Sequence, residues 1–497
     1  IGRILRPWLS FGIDGVLHRL QSPQRAEGYD WAHELIRVGA RAPTPGFPGA
    51  MFINKKLIVL APLFLLLPFL STTAGPSSAP PAVVKGETPG VQSVRGTEGI
   101  SVLRPSLPPD PEVQRLQREL AGLLTSTGNR EGRWSVLAVS LDQQDTVLAM
   151  NPQELLVPAS NIKLLSTAAA LHYLGPDFRY RTFLLGDGAL EDSVFKGDLI
   201  LYGTGDPTLS DRFFPSGTAA VDSLADQLFR KGIREIRGNV VVDGSYFHGP
   251  ELHPEWDPED FNDEFAAPVS AVSLSENLVT LRVEPGDWVG AQPSIHTEPR
   301  DAGIPLSNLA RTFPAGTRSR VWLFRETPLD PIGIEGEIPL GGASVWRRLP
   351  VPDPLAFAGQ QLKRSLAARG IRLQGEVLTL RDQERSSVSR ASDPITTDPD
   401  PSQPRILAIL ESPPLLDILR VINKESHNLF AETVAKTLGR TVLGDGSFTG
   451  GAEAVTRFLM DQVGVDPEEI QIKDGSGLSA RNLASADVFV RTLEYME

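Results

Sequence analysis

Cysteine is absent from the 497 residues, which excludes disulfides, a thiolate nucleophile, a cysteine zinc site and a lipid-modified cysteine anchor. Histidine is scarce: the 7 imidazoles are scattered, and none forms the His-Glu-x-x-His pair that holds zinc on a helix. No metal or other cofactor is therefore expected. Positive charge is in deficit, with 48 Lys and Arg against 61 Asp and Glu and a net charge of -13. No basic stripe is left to neutralise phosphates, and no nucleic-acid partner is expected. Long apolar runs are missing too. The stretch Leu57 to Leu70 falls short of the roughly 20 residues that cross a bilayer, and Pro62 and Pro68 interrupt it. No stable transmembrane anchor is expected.

What is present begins with signs of export. Met51 is the first methionine, and Asn54-Lys55-Lys56, the apolar run and Ser71-Thr72-Thr73-Ala74-Gly75 follow it. A basic start, an apolar middle and a small-residue exit read as a signal peptide over 51–74, cleaved after Ala74, with an uncleaved anchor or a buried helix as alternatives. The location implied is periplasmic or extracellular. Residues 1–50 precede this signal and read as upstream sequence translated in frame, the alternative being a genuine N-terminal extension. Residues 75–109, rich in proline, serine and glycine, read as a flexible linker.

Helical spacing of Val113, Leu116, Leu120, Leu123 and Leu124 predicts a helix over 112–124. Two apolar segments, 134–141 and 146–150, predict a strand hairpin. Then comes Pro158-Ala159-Ser160-Asn161-Ile162-Lys163 and the run Leu164 to Leu171, a helix start with a serine and a lysine on one face. Further helices are expected at 221–230 and 355–368, and strands at 239–243, 269–283, 321–324 and 374–380. The polar, proline-rich segment 384–404 marks a domain seam. Beyond it the chain turns helical, with Ser426-His427-Asn428 at a break. A helix over 451–463 and a strand at 470–472 then deliver Lys473-Asp474-Gly475-Ser476-Gly477-Leu478-Ser479, and the chain stops inside a further helix.

The Ser160 hydroxyl becomes a nucleophile only if a neighbour takes its proton. Lys163 can do so if burial lowers its pKa. Ser-x-x-Lys alone is a weak signal, equally consistent with a surface pair on an ordinary helix, and Ser193-Val194-Phe195-Lys196 matches it in an acidic, hydrated turn. Ser-x-Asn also occurs twice. Ser275-Glu276-Asn277 reads as part of an alternating strand, whereas Ser426-His427-Asn428 sits where a serine could relay protons and an asparagine amide could hold a substrate carbonyl. His427 occupies a variable position and is given no base role. Gly203 to Thr208 lacks the Gly-Lys-Ser/Thr ending of a phosphate loop.

In this order, the Ser160–Lys163 helix, the Ser426–Asn428 turn and the Asp474–Ser479 segment resemble the penicillin-recognising serine hydrolases. The long separation of Ser160 from Ser426, the Gly205-Asp206-Pro207-Thr208 turn and the Ala267-Pro268-Val269 stretch leading to Asn277 narrow the resemblance. They are similar to the class C low-molecular-mass penicillin-binding proteins, the D-alanyl-D-alanine carboxypeptidase/endopeptidase family. The resemblance covers roughly residues 110–497 and implies an α/β (α+β) penicillin-binding/β-lactamase-like transpeptidase domain, split by a large insertion of two mostly β domains. The catalytic halves would be 110–183 and 396–497, the insertion 184–395, and its inner domain about 204–270. Ser160 would be the acylated nucleophile, Lys163 its general base, and Ser426 with Asn428 the second element.

The implied substrates are peptidoglycan stem peptides, with β-lactam antibiotics as acylating inhibitors. The family's third motif, Lys-Thr/Ser-Gly after the Asp474–Ser479 segment, is absent from the 497 residues. Lys436-Thr437-Leu438 is a helical decoy that comes too early. A C-terminal truncation, and hence an inactive piece, is expected. The alternatives are a non-catalytic peptidoglycan-binding protein and a β-lactamase.

Overall fold

The computed structural model describes residues 133–141, 145–300, 302–327, 330–388 and 404–497, together with 57–60 and isolated positions between 111 and 122. Two compact units divide the chain, broadly before and after residue 152. In the first, β1 (Leu57–Leu60), β2 (Val136–Ser140) and β3 (Asp145–Met150) form an antiparallel sheet in the order β1-β2-β3. The expected hairpin is β2–β3, in which Val136 pairs with Met150. Positions 111, 114, 115, 118, 119 and 122 are helical, as the spacing predicts. Leu57–Leu60, inside the range read as signal peptide, is a strand paired with β2. The rest of 51–74, and the readings of 1–50 and 75–109, lie outside the described residues.

The second unit opens on a 3-10 turn, Ala159–Asn161, that runs into α1 (Ile162–Tyr173). The alanine- and leucine-rich sequence favours a helix, and its apolar residues lie on more than one face, so the helix is buried rather than laid on a surface. Ile162, Lys163, Leu165, Ser166, Thr167 and Ala168–Ala170 are all buried.

Next, β4 (Arg181–Glu191) and β5 (Val194–Gly203) make a long antiparallel hairpin. After α2 (Ala219–Arg230), the short strands β6 (Glu235–Arg237) and β7 (Val240–Asp243) each pair in parallel with β5, β6 along its first half and β7 along its second. Parallel pairing needs a crossover, and α2 supplies it. Strands β8 (Leu278–Glu284), β9 (Ser294–Glu298), β10 (Leu306–Asn308), β11 (Arg311–Phe313), β12 (Arg320–Phe324), β13 (Ile332–Pro339) and β14 (Val345–Pro350) follow. They build two further sheets, β14-β8-β9 and β10-β13-β11 with β12 on β13. The chain then returns through α3 (Pro354–Ala368), β15 (Arg372–Leu373) and β16 (Val377–Leu380) to β17 (Arg405–Glu411), which completes a seven-stranded sheet.

Helix α3 lies close on that sheet. A Cβ added to Gly359 would fall 2.4 Å from Val377 Cγ1 and 2.7 Å from Val242 Cγ2, so only glycine allows the approach. One continuous apolar core joins Leu199, Leu224, Leu281, Ile334 and Leu362, and with them the seven-stranded sheet and the two sheets built from β8–β14.

The seven-stranded sheet runs from Arg181 to Glu411 and takes in α2, β6 and β7, while the strands from Leu278 to Pro350 pair among themselves. Two local expectations are corrected here. Residues 269–277 are not strand. Ser275, Glu276 and Asn277 all take left-handed backbone, with φ of 52°, 59° and 55°, and β8 begins only at Leu278. The decoy Ser193–Lys196 is a turn only at Ser193, since Val194–Lys196 enters β5 and Phe195 joins the core.

Helical packing resumes with α4 (Leu415–Glu425), α5 (Asn428–Leu443) and α6 (Phe448–Phe458), followed by β18 (Ile470–Gln471), β19 (Leu483–Ala484) and α7 (Ala486–Met496). Helix α1 packs against all four of these helices. The decoy Lys436 and Thr437 lie within α5, as expected, where the Thr437 hydroxyl donates to Thr433 O at 2.8 Å.

Candidate active site

Ser160 sits in the 3-10 turn ahead of α1 and is exposed, while Lys163, one turn on, is 2 % exposed. The lysine ammonium nitrogen lies 3.1 Å from Ser160 Oγ, 2.7 Å from Asn428 Oδ1 and 2.7 Å from the Ser476 carbonyl. Three segments far apart in sequence thus converge on one nitrogen. Asn428 is the first residue of α5, and its Nδ2 donates to Phe265 O at 2.9 Å, which fixes the amide so that its oxygen faces Lys163. Ser426 ends α4 in a left-handed conformation, φ 57°. It is brought close by the chain, two residues before Asn428, and among the described residues no hydrogen bond joins it to Ser160 or Lys163.

The Asp474–Ser479 turn forms the third wall. Asp474 is buried and accepts from Gly477 N at 2.8 Å, Ser479 N at 2.6 Å, Asn482 Nδ2 at 2.9 Å and Trp256 Nε1 at 3.0 Å. The Ser166 hydroxyl of α1 donates to Gly475 O at 2.8 Å. Gly477, φ 83°, presses on the turn that holds Ser160 so closely that an added Cβ would fall 1.8 Å from Ala159 O. The turn therefore packs against the backbone that presents Ser160.

A model of the D-Ala-D-Ala carboxypeptidase 3 (S13) family matches residues 116–497. The chain belongs to that family. Among curated relatives of this S13 chain, a D-alanyl-D-alanine carboxypeptidase of Actinomadura sp. (strain R39) is 30% identical over 367 residues, 72% of this chain and 63% of the relative. The chain thus spans less than two thirds of that relative's length. D-alanyl-D-alanine carboxypeptidase DacB of Haemophilus influenzae is 24% identical over 72% of this chain and 70% of its own. The crystal structure of penicillin binding protein 4 from Haemophilus influenzae shares the fold, with a TM-score of 0.60, 24% identity, and coverage of 73% of this chain and 74% of that one. The penicillin-binding transpeptidase-like fold is thereby shown.

Within this S13 site, burial is the main influence on Lys163 and lowers its pKa to about 8, against the opposing pull of Glu432 and Asp474. At pH 7 this raises the neutral fraction of the amine roughly 300-fold over an unperturbed lysine. Glu432 escaped the sequence reading. It is fully buried on α5, and its two oxygens accept from Gly475 N at 3.0 Å and Ser476 N at 2.7 Å. Burial and then Asp474 push its pKa up, while these hydrogen bonds favour the ionised form. A signal was available: Glu432 follows Asn428 by one helical turn, and it is the only charge amid Leu429-Phe430-Ala431 and Thr433-Val434-Ala435.

Glu432→Gln is expected to lose one backbone acceptor and to remove a negative charge that raises Lys163. Acylation should fall roughly tenfold or more, as for a lost hydrogen bond to a charged group, and the low-pH limb of its pH profile should move to lower pH. Rates of penicillin acylation measured across pH check both. Among the described residues no cluster of three or more His, Asp or Glu could hold a metal ion.

Proposed function

We propose that this protein is a serine-type D-alanyl-D-alanine carboxypeptidase/endopeptidase that acts on peptidoglycan stem peptides through an acyl-enzyme and is acylated by β-lactams. The observation that carries this reading is the coordination of Lys163 Nζ. A neutral amine has two N–H bonds and one lone pair. Asn428 Oδ1 and the Ser476 carbonyl can only accept, so they take the two hydrogens and leave the lone pair for the Ser160 hydroxyl.

In the proposed reaction, the Ser160 proton passes to Lys163 as Oγ bonds to the carbonyl carbon of the penultimate D-alanine. The C–N bond then breaks, and the departing amine of the terminal D-alanine receives a proton, relayed by the Ser426 hydroxyl. The free N–H of Asn428 binds the substrate's amide carbonyl. The backbone N–H of Ser160, in the 3-10 turn that runs into α1, contributes to binding the oxyanion. Water then hydrolyses the ester and regenerates Ser160. Such a protein works outside the cytoplasm, as the signal-peptide reading of 51–74 requires, and among the described residues no helix is long and apolar enough to cross a membrane.

Release of D-alanine from a peptide ending in D-Ala-D-Ala, by the protein expressed from its complete gene, tests the reading. Stoichiometric release that Ser160→Ala abolishes is expected. Binding of the peptide without release would instead support a non-catalytic wall-binding protein.

A further inference from the structure

Three consecutive left-handed residues without a glycine are costly, about 1–2 kcal/mol each. Ser275-Glu276-Asn277 persists because its surroundings over-determine it. Asn277 Nδ2 donates to Pro268 O at 2.8 Å and Ser273 Oγ at 2.9 Å, its Oδ1 accepts from Leu274 N at 3.2 Å, and Ser275 Oγ donates to Gly217 O at 2.9 Å.

This strained turn drives Glu276 inward, to 3 % exposure. There its carboxylate meets Arg212 Nε at 2.9 Å, Arg348 Nη2 at 3.1 Å, Ser210 Oγ at 3.4 Å and His427 Nε2 at 3.2 Å. Burial opposes the charge, yet His427 and Arg212 hold the carboxyl well below the usual carboxylate range. The His427 ring also packs on Phe430 with centroids 4.3 Å apart, and Phe430 stacks on Phe213. His427 is the residue between Ser426 and Asn428, and the segment holding it comes from the region between β5 and β14.

We infer that the Glu276–His427 pair is a positioning device for the reaction. It anchors the turn between α4 and α5 so that Asn428 Oδ1 stays on Lys163 and Ser426 keeps its left-handed backbone. The same long segment holds the site at two other points. Phe265 O fixes the Asn428 amide and Trp256 Nε1 fixes Asp474. The region between β5 and β14 is therefore part of the machinery that shapes the site, and Glu276 acts through His427 without touching substrate.

This inference rests on the acyl-enzyme reading, and the experiment separates the two. His427→Phe keeps a ring against Phe430 and removes the donor to Glu276, whereas His427→Gln keeps a donor. Glu276→Gln removes the charge. Acylation by a fluorescent penicillin is followed in the protein from its complete gene, resolving the pre-acylation dissociation constant from the acylation rate. A misplaced turn should cost about 100-fold in rate, as for a displacement of about 1 Å at a reacting centre. The dissociation constant should change little, His427→Gln should recover most of the rate, and His427→Phe should add nothing to Glu276→Gln. Should His427→Phe fail to fold, Glu276→Gln alone carries the test. Wild-type rates in both variants, or additive losses in the double variant, would overturn the inference. Failure of the wild type to acylate would instead overturn the acyl-enzyme reading.

Discussion

Lys163→Ala is expected to slow acylation of Ser160 by roughly 10⁴-fold near pH 8, the upper range for loss of a positioned base. Two effects combine. The Ser160 proton loses its acceptor, and Asn428 Oδ1 and the Ser476 carbonyl lose the donor that draws their segments together. The wild type supplies the matching signature. Lys163 has a depressed pKa, so its neutral form dominates above about 8 and is lost as pH falls through that value. The logarithm of the acylation rate should therefore rise with pH and level off near 8. In Lys163→Ala that limb should vanish. Stopped-flow acylation with a chromogenic β-lactam across pH reads both, and a wild-type limb near the unperturbed value for lysine would show that burial does not tune this amine.

Asp474→Ala should be the most destabilising single change in the site. The buried carboxylate receives two backbone N–H groups, the Asn482 amide and the Trp256 indole. Removing it strands four donors in a dry interior, a loss of about 3–5 kcal/mol by analogy with breaking a buried charged pair. Where the variant remains folded, the damage should extend to chemistry, because the same turn carries Ser476 O to Lys163 and Gly475 O to Ser166. Denaturant unfolding of wild type and variant measures the first effect, and acylation rates below the transition measure the second. Asp474→Asn keeps the shape but turns an amide toward existing donors, so it should fall between the two.

As candidates, Ser160, Lys163, Ser426 and Asn428 stand out in the sequence because their spacing is local: a pair at helical spacing, and a triplet at a break between two amphipathic helices. The structure brings Ser160, Lys163 and Asn428 into direct contact, and it leaves Ser426 beside them in the turn. Hairpins such as β2–β3 were legible for the same reason. What stayed hidden depends on distant pairing. β5 divides its length between β6 and β7, and nothing local in 204–270 shows that those strands join a sheet closed by β15, β16 and β17. Ser275-Glu276-Asn277 reads as part of an alternating strand, and the triplet lacks the glycine that usually marks left-handed backbone. The meaning of Glu276 lies in Arg212, Arg348 and His427, which are remote in sequence.

The proposed acylation of Ser160 is tested most directly by mapping a labelled penicillin adduct, by mass spectrometry of peptides from the protein expressed from its complete gene. One label per chain, on the peptide that contains Ser160 and absent from Ser160→Ala, is the expected result. No adduct, or an adduct that persists in Ser160→Ala, would contradict it.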